Sequence, residues 1–354
     1  MATDGPTFGI VARPLPMVGL ALPGVAPGAD DRLPFAGGDV EVACDQVWHP
    51  AGPAQPSALL VATFDASTPA TGGRLDEVGA VEVAGAGQAL YGTAEALYVA
   101  TTLWAGAEPA TSIHRFSLDD LAWTGSGRVP GTPLNQFAFD EHQGVLRVAV
   151  THDQPVASAG RGPAGEVIGI LAGADVDNLV ITLDTAGDLD EVGRVGGLGK
   201  PGERIQGVRF AGGVGYVVTF RQTDPFYVID LSDPASPKAV GELELPGFSA
   251  YLHPMAGGLV VGIGQAGTET GRLLGAQAQL FDVSDPRTPR LVDQELLGTE
   301  SPALFDHLAF ASLGGSRFAV PVSDWAGAVR SAGRSGAPVV PKAAAIALDA
   351  GAGG

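Results

Sequence analysis

Apolar and polar positions alternate in short runs along most of the chain, and turn residues close each run. Between 248 and 297 the runs are "FSAYLHP", "GLVVGIG", "AQAQLFDV" and "PRLVDQELL", divided by Gly, Pro and Asp. A period of two over such lengths is that of a half-buried strand, so these segments are expected to form four short strands in succession. The same spelling returns in "RIQGVRFAGGVGYVVTF" and in "LNQFAFDEHQGVLRVAV", each a first and second strand joined by a tight turn at a glycine.

The strands belong to a repeat. Asp230-Leu231-Ser232-Asp233-Pro234 is echoed by Asp282-Val283-Ser284-Asp285-Pro286, and "VITLDTAGDLDEVG" (180–193) overlays "VIDLSDPASPKAVG" (228–241) at an offset of 48. Further copies fall around Thr63, Ser117 and Ala347, six in all. Self-similarity at a period of about 40 to 60 residues, with four strands per unit, indicates an all-β chain: a β-propeller of six four-stranded antiparallel blades, or part of a larger ring. Within each unit Asp233 and Asp285 are expected to cap the turn between third and fourth strands, with the following proline presetting its backbone. "PFAGGDVEVACD" (34–45) echoes "RFAGGVGYVV" and supplies another first-plus-second strand pair. The chain then divides into a Pro-rich segment (1–30), the propeller (31–349), a low-complexity loop in the last blade (323–343) and a tail (350–354). The last unit stops after its third strand, and "TFGIVARPL" near the N-terminus is expected to supply the missing one.

Composition agrees with many turns between short strands: 52 Gly and 27 Pro in 354 residues, 45% hydrophobic but only 6% aromatic. The formal charge of -19, with lysine only at 200, 238 and 342, leaves no basic surface to release phosphate counterions and excludes a nucleic-acid partner. Cys44 stands alone, which excludes an intrachain disulfide and a cysteine-rich metal site; it is expected to be a small buried hydrophobe. The apolar N-terminal stretch carries prolines and Arg13 without a preceding basic segment, so it fits neither a signal peptide nor a transmembrane span.

The segments "TSIHRFSL", "VPGTPLNQFAFDEHQGVLRVAVT", "SPALFDHLAF" and above all "FRQTDPFYVIDLSDP" carry a resemblance to bacterial and archaeal secreted proteins with a C-terminal β-propeller domain, distantly related to WD-repeat proteins. The resemblance runs from about Cys44 to Val322 and implies an extracellular or cell-surface location. Family members begin with an export signal and further strands, which this sequence does not show, so a fragment or shortened variant is expected.

In propellers the first strand of each blade lines the channel, and ligands are expected there and on the connecting loops. The polar first-strand residues are Gln136, Gln206, Arg209, Tyr251, His253, Asp306 and His307. His253 and His307 lie 54 residues apart, near one repeat, so two imidazoles with Asp306 would be placed to move protons or hold a metal. Gln136, Gln206, Arg209 and Tyr251 are candidate ligand contacts, joined by Arg221 and Gln222 of the polar "FRQTDP" loop, where Asp224-Pro225 reads as the turn. "GIGQAG" (262–267) matches a dinucleotide fingerprint, but the repeat register sets its glycines in a loop between two strands with no helix to follow. Asp175, Asp177, Asp188 and Asp190 make calcium or another divalent metal a candidate, although the spacing is not that of a calcium loop. No cofactor is otherwise expected, and no G-x-S-x-G or H-E-x-x-H motif occurs.

Two functions compete. One is a monomeric binding or scaffold module that presents loops 152–178, 220–225 and 323–343 to a protein or glycan. The other is a hydrolase or lyase at the channel mouth using His253, Asp306 and His307. The first expects those side chains tied up by neighbours beside an exposed apolar patch; the second expects them to converge.

Overall fold

The computed structural model describes residues 7–14, 32–35, 38–41, 46–48, 57–65, 76–105, 108–161, 167–220, 223–268, 272–324 and 342–349. Cys44, Arg221, Gln222, the tail and all but the edges of the 323–343 loop lie outside them. The described elements are strands and three-residue 3₁₀ turns, and the strands form successive sheets, antiparallel except where Val47–Trp48 pairs in parallel with Asp76–Ala84. One sheet has the order Trp123–Pro130, Glu108–Ser117, Ala96–Ala105, Ala86–Gly92; the next is built on Val145–Arg161, Val167–Asp184 and Glu191–Leu198, with Phe139–His142 at its edge. The first is a four-strand meander, as the alternation requires; the second has a fifth, two-residue strand, Thr132–Pro133, that also pairs with Val145–Arg161.

The segment from 204 to 298 departs from the expected separation of units. Lys238–Met255 is one strand of 18 residues, pairing with Thr223–Asp230 through its first half and with Leu259–Gly267 through its second. Two four-stranded units are thereby fused into a seven-stranded sheet. The corner is Gly247, at φ 93°, where a Cβ would strike the Gln265 carbonyl; only glycine turns the chain there. Asp224 and Pro225, expected to make a turn, are instead in the strand Thr223–Asp230. Pro225 precedes the first pair with Val214–Phe220 (Phe226↔Val218), so its missing N–H costs the ladder nothing on that side.

The turns follow the sequence closely. Gln143 and Gly144 both have positive φ (53° and 77°), the two-residue turn that matches strand twist, and join Phe139–His142 to Val145–Arg161. Asp233 Oδ1 accepts the Ala235 N–H and Asp285 Oδ1 the Arg287 N–H, while Asp230 and Asp282 accept from Ser232 and Ser284 two residues on. The Ser-Asp-Pro element is therefore a doubled aspartate-capped turn. It also locks neighbouring units: a Cβ on Gly193 would lie 2.5 Å from the Pro234 carbonyl oxygen, and one on Gly241 would collide with that of Pro286. The Val-Gly that closes each repeat is small because the next repeat's turn packs on it.

The N-terminal strand Thr7–Pro14, expected to complete the last unit, has its ladder within the first compact unit. It pairs over its whole length with Ser57–Asp65, from Thr7↔Phe64 to Pro14↔Ser57, while Lys342–Asp349 pairs with Arg317–Asp324. The apolar runs "FGIVA" and "LLVAT" match each other in an antiparallel ladder, which satisfies the strand's backbone locally. Arg32–Phe35 and Gly38–Glu41 form the hairpin expected of "PFAGGDVEVA".

The chain divides into two compact units, 1–136 with 183–191, and 137–182 with 192–354. The first is cored by Leu59, Val61, Val81, Val83, Leu97, Val99 and Phe116. In the second, Phe226 and Phe281, from equivalent strands of successive repeats, stack at 4.5 Å and 10° among Val218, Val228, Leu252 and Val260. Full burial of each such ring contributes on the order of 2–3 kcal/mol, and together they fix the strands whose first members carry the candidate site.

Candidate functional site

The site is assembled within the second unit from successive first strands. Arg204–Ala211 bulges at Gln206, between the pairs Ile205↔Thr219 and Gly207↔Val218; Lys238–Met255 bulges at Ala250, between Ser249↔Gly264 and Tyr251↔Ile263. Bulges re-aim the residues that follow them. Arg209 and His253 each stand three residues beyond the bulge, in matching positions of consecutive repeats. A 3₁₀ turn at Gln136–Ala138 presents Phe137, and a second at His307–Ala309 leads to Phe310.

These residues form one cluster. The Arg209 guanidinium carbon lies 4.7 Å from the centre of the Phe137 ring. Phe137 meets Tyr251 edge-on at 5.6 Å and His307 edge-on at 5.1 Å. Phe310 packs against Tyr251 at 5.1 Å, His253 at 4.6 Å and Phe318 at 5.3 Å. The Tyr251 hydroxyl and His253 Nδ1 are hydrogen-bonded at 3.2 Å. Burial, and after it the positive charge of Arg209, holds the His253 imidazole below its ordinary value. Burial pushes the Tyr251 phenol up, with Arg209 acting the other way. At neutral pH Arg209 is thus a fixed cation beside a neutral Tyr251 and a neutral His253.

Of the residues singled out in the sequence, Arg209, Tyr251, His253 and His307 are brought together. The Asp306 side chain turns to the backbone instead: its Oδ1 accepts the Leu308 N–H at 2.9 Å and caps the turn His307–Ala309. Gln136 opens the turn that carries Phe137, and Gln206 is the bulged residue. Phe137 and Phe310 were missed, because an aromatic residue inside an apolar run reads as core. The available signal was the parallel between "QFAF" (136–139) and "HLAF" (307–310), each of which forms a 3₁₀ turn.

Beside the cluster, Phe305 and Leu308 are 87% and 79% exposed, on either side of Asp306 and His307. Elsewhere in this unit Arg147, only 3% exposed, pairs with Asp140, donates to the Gly212 carbonyl and lies over Phe210 at 5.2 Å. Asp177 accepts the Gly197 N–H. Among the described residues no three His, Cys, Asp or Glu side chains gather as a metal site, and no helix is long and apolar enough to cross a membrane.

Strand order, repeat register and the doubled turns define a propeller-type protein, and the model of the β-propeller domain family matches residues 22–346. The chain belongs to the β-propeller domain family. It is 42% identical over 202 residues to an uncharacterized protein of Methanocaldococcus jannaschii and 41% identical over 201 residues to one of Archaeoglobus fulgidus. Each match covers 56% of this chain and 28% of the relative, so the chain spans about a quarter of the length of the curated relatives it matches. Among solved structures, it is 13% identical to a Lactobacillus plantarum protein (TM-score 0.34, 78% of this chain and 90% of that one). It is 12% identical to a putative 6-phosphogluconolactonase of Bacteroides fragilis (TM-score 0.35, 85% and 94%). Neither likeness carries weight for function.

Proposed function

We propose that this chain is the recognition module of an exported β-propeller protein, binding a partner outside the cell or at its surface. The observation that supports it is the exposed pair Phe305 and Leu308, set against a cluster whose histidines are occupied by aromatic and phenolic neighbours. Large apolar side chains held at a rigid turn are interaction sites more often than ornaments of a solvated surface. A protein surface with an apolar depression is the partner that suits them best; a glycan is the other outcome to test. The hydrolase or lyase reading draws no support from the geometry, since Asp306 spends its carboxylate on the Leu308 N–H.

The test is binding to immobilised peptide and glycan arrays by the wild-type chain and by a Phe305→Ser, Leu308→Ser variant. The reading expects peptide ligands whose signal drops at least tenfold in the variant. Ligands bound equally by both proteins, or no ligand on either array, would refute it.

A further inference from the structure

Arg209 is half-buried, and its guanidinium lies over the face of Phe137. Among the described residues no carboxylate pairs with it: the ion pairs there join Arg147 to Asp140, Lys200 to Glu244, Arg204 to Asp153 and Arg290 to Asp282. A cation drawn partly out of water is costly unless something negative or hydrogen-bonding meets it, and stacking on one ring satisfies none of the five guanidinium N–H donors. The contrast within this unit is Arg147, which is more deeply buried and has both Asp140 and the Gly212 carbonyl.

The surroundings narrow what would complete Arg209. The planar fork of a guanidinium matches a carboxylate in a two-bond geometry, and a ring beneath it holds the fork in place. Tyr251 and His253 stand beside it as uncharged hydrogen-bonding groups, and the half-buried Phe137 and Tyr251 offer ring edges and faces to the rest of a ligand. A single cation in a chain of net charge -19 favours one negative charge over many, because a polyanion would be repelled by the remainder of the protein.

We infer that Arg209, laid over Phe137 beside Tyr251 and His253, receives the carboxylate of a small monoanionic ligand whose body packs on the surrounding rings. This site uses side chains other than the exposed Phe305 and Leu308, and it stands whether or not those residues bind a protein.

The test is calorimetric titration of the whole chain with benzoate and with glucuronate, each against its neutral counterpart, benzamide and glucose. At least one acid should bind, at least tenfold more tightly than its neutral partner; which acid does so distinguishes an aromatic ligand body from a sugar. Arg209→Gln should cost that acid at least tenfold and leave the neutral compound unchanged, with Arg209→Lys in between because it keeps the charge and loses the fork. Equal binding of acid and neutral partner, an Arg209→Gln variant that binds the acid normally, or no binding of either acid overturns the inference. If Arg209→Gln does not fold, the wild-type comparison of acid with neutral partner decides alone. The Phe305→Ser, Leu308→Ser variant should bind the acid as the wild type does. Loss of array ligands in that variant without any acid binding would leave the recognition reading intact and overturn this one.

Discussion

Acidification below neutrality should weaken the first unit through one residue, His114. It lies in the strand Glu108–Ser117 with only 3% of its surface exposed. The Ser126 oxygen accepts from Trp123 Nε1 at 2.8 Å and lies 2.7 Å from His114 Nδ1, so the serine proton is directed to the imidazole and Nδ1 is the acceptor. The proton of the neutral ring is then on Nε2, which is buried without a partner. Burial lowers the pKa from 6.5 to about 4. The folded value is below the unfolded one, so the unfolded chain takes up the proton first. The stability that a neutral His114 protects is whole above pH 6.5 and is lost as the pH falls toward 4. Over that interval the loss is roughly 3 kcal/mol, at a limiting slope of about 1.4 kcal/mol per pH unit. Urea unfolding followed by circular dichroism at pH 7, 6, 5 and 4.5 measures it in the wild type and in His114→Gln. His253, also held below its ordinary value, acts in the same sense in both proteins and cancels from the comparison. Asp153, Asp230 and Asp282 are held below 3.8, so their contributions are lost only at lower pH. The variant should show the flatter pH dependence. Parallel curves would refute the burial of a neutral His114.

Other consequences concern the joints between repeats. Gly241→Val should cost about 1–3 kcal/mol in urea unfolding, because its side chain would meet the Pro286 turn, whereas Gly187→Ala, with open space around it, should cost less than about 0.5 kcal/mol. Arg147→Met should destabilise by about 3 kcal/mol, since it leaves Asp140 without its partner; an unchanged urea midpoint would mean that Asp140 finds water instead. Asn178→Leu should cost a similar amount, about 3 kcal/mol, because Asn178 donates to the Leu198 and Glu203 carbonyls and accepts from Thr151 Oγ1 in a buried setting. The Phe305→Ser, Leu308→Ser variant should melt within a degree or two of the wild type, since both side chains are in water already.

Most of the strand content was legible because alternation is a local signal that burial of one face enforces. "GLVVGIG", "AQAQLFDV" and "PRLVDQELL" lie in Leu259–Gly267, Leu273–Asp282 and Arg290–Gly298, with ends shifted by a few residues. The continuity of Lys238–Met255 was hidden, because Pro246-Gly247 spells a break and only the pairing on both sides keeps the strand extended through it. The partner of Thr7–Pro14 was hidden for a related reason: any apolar strand will do for a ladder, and sequence does not choose among edges. "GIGQAG", expected in a loop between two strands, lies within a strand instead. Gly262 and Gly264 are inside the strand Leu259–Gly267, where Cβ atoms would collide with Ser249 and with the Phe248 carbonyl. At the candidate site, Arg209, Tyr251 and His253 stood out as polar residues on apolar strands. Phe137 and Phe310 join them into a cluster, Phe310 from within the core, and neither stands out inside an apolar run.

The most direct measurement of the central claim is the affinity of an array-selected ligand for the wild type and for Phe305→Ser, Leu308→Ser by calorimetry, with the ligand recovered afterwards and its mass determined. A recognition module predicts at least a tenfold loss of affinity in the variant and a ligand returned unaltered. Equal affinity for both proteins, or a ligand returned cleaved, would contradict it.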